Sequence, residues 1–187
     1  LGRIPAGFTW WPILLLAIAG IVFSIGAMPV VWYPLASAEP DIVSDVLSEP
    51  FAGSRLNIFI LIVIMAPLIE ESLFRGLLFS RLTVKWGMIR AMIVSSLAFG
   101  LLHLNPIGAS VFGIVACVLY VRTRTLLVPM TLHALNNFIV WIFTFGEVDT
   151  GVPYNVQDFL YQGLVAMLIA APVIFVFLGR WWPERGT

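Results

Sequence analysis

Residues 57–79 read NIFILIVIMAPLIEESLFRGLLF, an apolar stretch that carries two adjacent carboxylates and an arginine. About 20 apolar residues are enough for an α-helix to span the hydrocarbon core of a bilayer. The stretch therefore predicts a transmembrane helix with ionisable groups inside it.

The composition of the whole chain indicates that lipid is its main surrounding. Of the 187 residues, 60% are apolar and 11% are charged, whereas about a quarter of the residues in a soluble domain are charged. So few polar residues could not cover a soluble core. The formal net charge is zero, which gives no electrostatic basis for binding nucleic acid. We predict an integral membrane protein.

Six apolar runs predict an all-α, polytopic transmembrane helical bundle that forms a single membrane domain over residues 1–187. The runs are 10–33, 57–79, 88–104, 107–121, 126–145 and 159–179. The third and fourth runs are short and meet at Asn105-Pro106, which predicts a tight helical hairpin. The first run has features of a signal peptide, with Arg3 before it and residues 36–38 as a cleavage-like sequence, but its length favours a retained helix.

The basic residues orient the predicted bundle. If all six runs cross the bilayer, nine of the ten lie on one side: Arg3, Arg75, Arg81, Lys85, Arg90, Arg122, Arg124, Arg180 and Arg185. Arg55 lies on the other side, among acidic residues. Because cytoplasmic loops are enriched in lysine and arginine, both termini are predicted to be cytoplasmic.

Glu70, Glu71 and Arg75 are the first candidate site residues. An ionisable group at membrane depth costs about 2.5–3.5 kcal/mol on insertion scales, so such groups usually face a functional cavity. Glu71 and Arg75 are four residues apart and can pair on one helix face, whereas Glu70 points elsewhere and suits a general base. The three residues could instead cap a helix end in water, but the apolar run resumes after Arg75.

Both histidines of the chain lie in apolar runs and are further candidates. His103 follows Phe99 by four residues, and His133 precedes Asn137 by four residues. Each spacing places a histidine ring beside a second group that can fix its orientation. The predicted spans place Glu70, His133 and Asn137 near the middle of the membrane, with His103 about two turns further out unless its helix tilts.

Other chemistries find little support in the sequence. There is no H-E-x-x-H metal motif, no G-x-S-x-G motif and no phosphate-binding glycine loop. Cys117 has no basic neighbour within a helical turn, so we interpret it as a packing residue. We expect no metal and no other cofactor.

The ordered motifs resemble those of the CAAX protease and bacteriocin-processing family of intramembrane endopeptidases. The motifs are E-E-x-x-x-R at residues 70–75, F-x-x-x-H at 99–103 and H-x-x-x-N at 133–137, and the resemblance covers about residues 58–145. The resemblance implies a glutamate-dependent intramembrane protease. We expect it to lie in the cytoplasmic membrane of a prokaryote. Its substrate would be a membrane-anchored peptide, a C-terminal sorting tail or a prenylated protein.

The resemblance also implies a role for each motif residue. Glu70 and His103 would activate the attacking water, and His133 and Asn137 would stabilise the oxyanion. Glu71 and Arg75 would support Glu70.

Two alternatives stay open. The first is a non-catalytic membrane scaffold or immunity protein with the same fold. The second is a zinc-dependent membrane hydrolase, in which Glu70, His103 and His133 would bind the metal and leave a fourth position open.

Overall fold

Six helices account for the regular structure in a computed structural model that describes residue 4 and residues 6–39, 54–145 and 156–183. They are α1 (Trp11–Ala38), α2 (Arg55–Trp86), α3 (Met88–Leu101), α4 (Pro106–Thr123), α5 (Leu127–Phe145) and α6 (Val156–Trp181). No strand occurs in these ranges. The predicted all-helical fold is confirmed, and each predicted apolar run corresponds to one helix.

Four of these helices are long and apolar enough to cross a membrane, namely α1, α2, α4 and α6. The apolar segments of α3 and α5, Met88–Leu101 and Leu127–Ile142, are shorter. Many large apolar side chains on the outer faces are exposed, including Leu168 and Phe175 on α6, as lipid-facing residues are. The protein is an integral membrane protein, whereas six crossings and two cytoplasmic termini stay predictions.

Helix α2 is continuous from Arg55 to Trp86 but contains two π-helical segments. The segments Ile60–Met65 and Ser72–Phe79 are π-helical, and the α-helical segment Ala66–Glu71 lies between them. A π-helical turn contains an additional residue and is often found at functional sites. Both predicted glutamates therefore end a short α-helical segment that has a widened turn on either side.

The predicted hairpin at Asn105-Pro106 is confirmed, because α3 and α4 pack against each other around this turn. Asn105 is the N-cap of α4: its Oδ1 accepts a hydrogen bond from the Gly108 amide at 3.0 Å, and Pro106 occupies the first turn. The amide of Asn105 also donates to the Ser24 carbonyl at 2.6 Å. This side chain thus attaches the hairpin to α1.

The first and last helices make the most extensive helix contact in the described part of the chain. They approach closely at Gly26 and Gly163: a Cβ added to Gly26 would lie 2.5 Å from the Gly163 carbonyl oxygen. Small residues allow such close contacts between membrane helices. At one end of the bundle, Arg122 donates hydrogen bonds to the carbonyls of Trp181 and Trp182, at 2.7 and 2.6 Å, and joins α4 to the end of α6.

Cysteine labelling tests the predicted orientation in a Cys117→Ala background. Val84, near the end of α2, is 91% exposed and on the predicted cytoplasmic side. Ser44 belongs to a predicted outer loop outside the described residues. We expect Ser44→Cys to react with an impermeant maleimide on intact cells, and Val84→Cys to react only after the membrane is permeabilised. The opposite pattern would show that the orientation is wrong.

Candidate active site

A buried ion pair on α2 is the centre of the candidate site. Arg75 Nη1 donates to Glu71 Oε1 at 2.8 Å, with the two side chains 1% and 0% exposed. The pairing four residues apart is the one expected from the sequence. A buried charge is costly unless it is paired and hydrogen-bonded, so this contact fixes both side chains.

Arg75 extends this centre to α3 and α4. Its Nη2 donates to the Gly113 carbonyl at 3.2 Å, and its guanidinium lies 4.5 Å from the centre of the Phe99 ring. Gly113 also lets α4 pack closely against α3, because a Cβ there would be only 2.8 Å from Cβ of Ser96. Gly113 was not predicted from the sequence, because it contributes a main-chain carbonyl, which every residue has.

His133 on α5 binds the same glutamate oxygen. Its Nδ1 lies 2.9 Å from Glu71 Oε1, and the side chain is 5% exposed. Because an ionised carboxylate can only accept, Nδ1 carries the proton and Nε2 faces away from Glu71. The group that orients His133 is thus Glu71, and not Asn137 as the spacing suggested.

The ring of His103 is held by a main-chain carbonyl, whereas that of His133 is held by a carboxylate. Nδ1 donates to the Phe99 carbonyl at 2.7 Å, and the Phe99 and His103 ring centres are 4.3 Å apart. His103 lies after the end of α3, in the turn before α4. The chain leaves the helix at Leu101, and from the turn that follows the ring lies 3.7 Å from Glu70, closer than its predicted membrane depth suggested.

Glu70 faces both histidines. Its Oε2 lies 3.7 Å from His103 Nε2 and 3.9 Å from His133 Nε2. Both distances are too long for direct hydrogen bonds and suit a bridging water. The side chains of Glu70 and His103 are each about one-third exposed, whereas the Oε2 atom of Glu70 is itself buried and has no hydrogen-bond partner among the described residues. The Nδ1 bonds leave both Nε2 atoms directed towards this carboxylate.

Asn137 lies next to this group on α5 and binds α2. Its Nδ2 donates to the Ile62 carbonyl at 2.7 Å, and its Oδ1 accepts from Asn136 Nδ2 at 3.3 Å. Asn137, His133 and His103 line a cavity of about 380 Å³. The structure therefore brings all six predicted site residues into one connected region.

Polar residues that the sequence analysis did not select also line the cavity, namely Ser24, Asn105 and Asn136. Asn105 had a detectable signal, because asparagine before proline is a typical helix start. Asn136 immediately precedes Asn137 in the sequence. It was not predicted, because the four-residue spacing from His133 applies to Asn137 alone. Ser24 has no local signal, since its place depends on how α1 packs.

No three histidine, cysteine, aspartate or glutamate side chains form a metal-binding group within the described ranges. In a tetrahedral zinc site, bonds of about 2.0–2.1 Å would place neighbouring ligand atoms about 3.4 Å apart. The separations of Glu70 from His103 and His133 are 3.7 and 3.9 Å. As placed, these residues would have to move closer together to bind zinc.

Comparison with known proteins agrees with this arrangement of motifs. The family described as "Type II CAAX prenyl endopeptidase Rce1-like" matches residues 52–139, a little under half of the chain. The resemblance to CAAX proteases is confirmed. The matched range includes all six predicted site residues. Helices α1 and α6 lie outside it.

Two bacterial relatives show the same likeness. The "Membrane-embedded CAAX protease MroQ" of Staphylococcus aureus is 34% identical over 126 residues, covering 54% of this chain and 51% of that protein. The "Putative membrane peptidase YdiL" of Bacillus subtilis is 32% identical over 81 residues, covering 41% and 33%. The matches thus span about half of one relative and a third of the other. No solved structure matches the chain significantly.

The two adjacent glutamates form a matched pair for a stability test. Glu71→Gln removes a charge that faces Arg75 and His133, and loss of one partner from a buried ion pair costs about 3–5 kcal/mol. Glu70→Gln breaks no ion pair shorter than 3.7 Å, and Glu70 Oε2 has no hydrogen-bond partner among the described residues. In thermal unfolding of the purified protein in detergent, we expect Glu71→Gln to lower the midpoint strongly and Glu70→Gln to leave it nearly unchanged. Equal shifts would contradict the central role of Glu71.

Proposed function

We propose that this protein is an intramembrane endopeptidase that hydrolyses a peptide bond with a water molecule activated by Glu70 and His103. The observation that carries the proposal is the position of Glu70 Oε2, within 4 Å of Nε2 of both histidines, beside a cavity about 380 Å³ in volume. The likeness to CAAX proteases supports the same reaction class.

In the proposed reaction, a water lies between Glu70 Oε2 and His103 Nε2. Glu70 takes a proton from the water while the water oxygen attacks the scissile carbonyl carbon. The resulting tetrahedral oxyanion collapses, the carbon–nitrogen bond breaks, and the proton held by Glu70 passes to the leaving amine. The products are a new carboxyl terminus and a new amino terminus.

His133 and Asn137 are the proposed donors to the oxyanion. The Asn137 amide has two N–H groups and uses one of them on Ile62, which leaves the other for the cavity. His133 in its protonated form presents Nε2–H, and Glu71 beside Nδ1 balances the positive charge. Donors held in place before the reaction stabilise the developing negative charge without reorganisation.

We also propose that the substrate enters from the bilayer between α1 and α5. A second cavity of about 350 Å³ shares Ser24, Met28, Asn105 and Asn136 with the first. It is also lined by Ile25 of α1 and Val140 of α5, both of which are exposed. This route fits a membrane-anchored peptide, a C-terminal sorting tail or a prenylated protein, processed in the cytoplasmic membrane of a prokaryote.

Glu70→Gln tests the general base. We expect complete loss of cleavage with normal folding, because glutamine keeps the shape of the side chain but does not accept a proton at neutral pH. Membranes of cells that express the wild type or the variant can be compared by mass spectrometry of carboxyl-terminal peptides in water enriched in oxygen-18. Wild-type-specific termini that carry the heavy isotope are expected. Near-wild-type turnover by Glu70→Gln would show that the assignment is wrong.

Metal content separates this mechanism from the zinc alternative. We expect chelators to leave cleavage unchanged, and His103→Ala to abolish it, with zinc far below one equivalent in both proteins. Elemental analysis of purified wild type and His103→Ala, alongside activity, provides the measurement. One equivalent of zinc in the wild type that is lost with His103→Ala would replace the metal-free mechanism by a metalloenzyme.

A further inference from the structure

The contact between Asn137 and α2 involves a carbonyl that would be satisfied within most helices. Asn137 Nδ2 donates to the Ile62 carbonyl oxygen at 2.7 Å, across 75 positions of the sequence. In a regular helix, each main-chain carbonyl accepts a hydrogen bond from the main-chain N–H four residues later. Such a carbonyl already has a partner and does not need a side chain from a neighbouring helix. The Ile62 carbonyl requires an explanation.

The π-helical winding and a proline together account for it. Residues 60–65 are π-helical, and the Ala66 N–H bonds to the Leu61 carbonyl, five residues back. In the same pattern the next N–H, at residue 67, would bond to the Ile62 carbonyl. Residue 67 is proline, which has no N–H. With the Ala66 N–H already used on Leu61, the Ile62 carbonyl has no donor from its own helix.

This carbonyl therefore needs a partner from elsewhere. Pro67 is fully buried and Ile62 is partly buried, so the region offers little access to solvent. An unsatisfied main-chain group at membrane depth costs several kcal/mol, and neighbouring helices usually satisfy the groups that a proline releases. Here the Asn137 amide on α5 provides the hydrogen bond.

The same bond fixes the direction of the Asn137 amide. Because a carbonyl only accepts, the nitrogen of the amide must face Ile62, and the oxygen then faces Asn136 Nδ2 at 3.3 Å. The rotated alternative would place two oxygens against each other. The second N–H of the amide is thus held in one orientation, on a side chain that lines the cavity.

We propose that Pro67 is a positioning residue for Asn137: it leaves the Ile62 carbonyl without a main-chain donor and so makes that carbonyl the anchor of the Asn137 amide. A non-proline residue at position 67 would supply an N–H that competes for this carbonyl and releases Asn137. The anchoring itself does not depend on the proposed function, whereas its effect on turnover rests on it.

Solid-state NMR of the protein in bilayers tests the anchor in the wild type. With carbon-13 in isoleucine carbonyls and nitrogen-15 in asparagine side chains, we expect a dipolar contact between an isoleucine carbonyl carbon and an asparagine Nδ2. Asn137→Ala should abolish this contact, which assigns it, and Pro67→Ala should weaken or abolish it. Absence of the contact in the wild type, or its full retention in Pro67→Ala, would overturn the proposal.

A double-mutant cycle gives a second test that needs no substrate. In the wild-type background, Asn137→Ala should lower the unfolding midpoint, because the Ile62 carbonyl loses its donor. In the Pro67→Ala background the same change should have less than about half this effect, since a main-chain N–H replaces the amide. Pro172→Ala is the control, because Pro172 is an exposed internal proline of α6, and it should leave the effect of Asn137→Ala unchanged. Equal effects in all three backgrounds would contradict the proposal.

The catalytic consequence is measured with an internally quenched, farnesylated peptide. Loss of one oxyanion donor reduces the rate on the order of 10²–10³-fold, so Pro67→Ala should lower kcat towards the value of Asn137→Ala while KM changes little. The double variant should be no slower than Asn137→Ala alone. If Pro67→Ala kept full kcat while the wild type cleaved the peptide, the positioning role would be wrong. If the wild type failed to cleave the peptide, the NMR and unfolding experiments would still decide whether Pro67 makes the Ile62 carbonyl the anchor of Asn137.

Discussion

The carboxylate of Glu71 is completely buried and is shared between two partners on different helices. Its Oε1 atom binds Arg75 at 2.8 Å and His133 at 2.9 Å. Arg75 in turn reaches the Gly113 carbonyl on α4 and the Phe99 ring on α3. In a medium of low dielectric constant these contacts are strong, and the loss of either Glu71 or Arg75 leaves the charge of the other without compensation. The relative positions of α2, α3, α4 and α5 at the site thus depend on one carboxylate.

The helices were predictable because their signal is local. The length of each apolar run and the Asn105-Pro106 break sufficed to predict six helices and one hairpin, and the structure contains them. The two π-helical segments of α2 were not predictable, since a regular period of 3.6 residues was assumed throughout. The widened turns pack against α5 and the α3–α4 hairpin, and no local pattern encodes these long-range contacts.

The candidate site was predictable in its membership but not in its contacts. Ionisable side chains in apolar runs are rare enough that Glu70, Glu71, His103 and His133, with Asn137 beside them in sequence, could be identified as a set. The partners depend on long-range packing: Glu71 orients His133, and Ile62 binds Asn137. His103 shows the difference most clearly, because helical depth placed it two turns away, while the end of α3 at Leu101 allows it to approach Glu70 to 3.7 Å.

The glycine contact between α1 and α6 has a consequence for the order of assembly. Of the described helices, α1 is synthesised first and α6 last, yet each is the main neighbour of the other. Until translation has delivered Gly163, the face of α1 around Gly26 has no permanent partner. The same helix contributes Gly20, Ser24 and Met28 to the wall of the cavity. The docking of α1 against α6 is therefore a late event in biogenesis, because it can be completed only after Gly163 has been made.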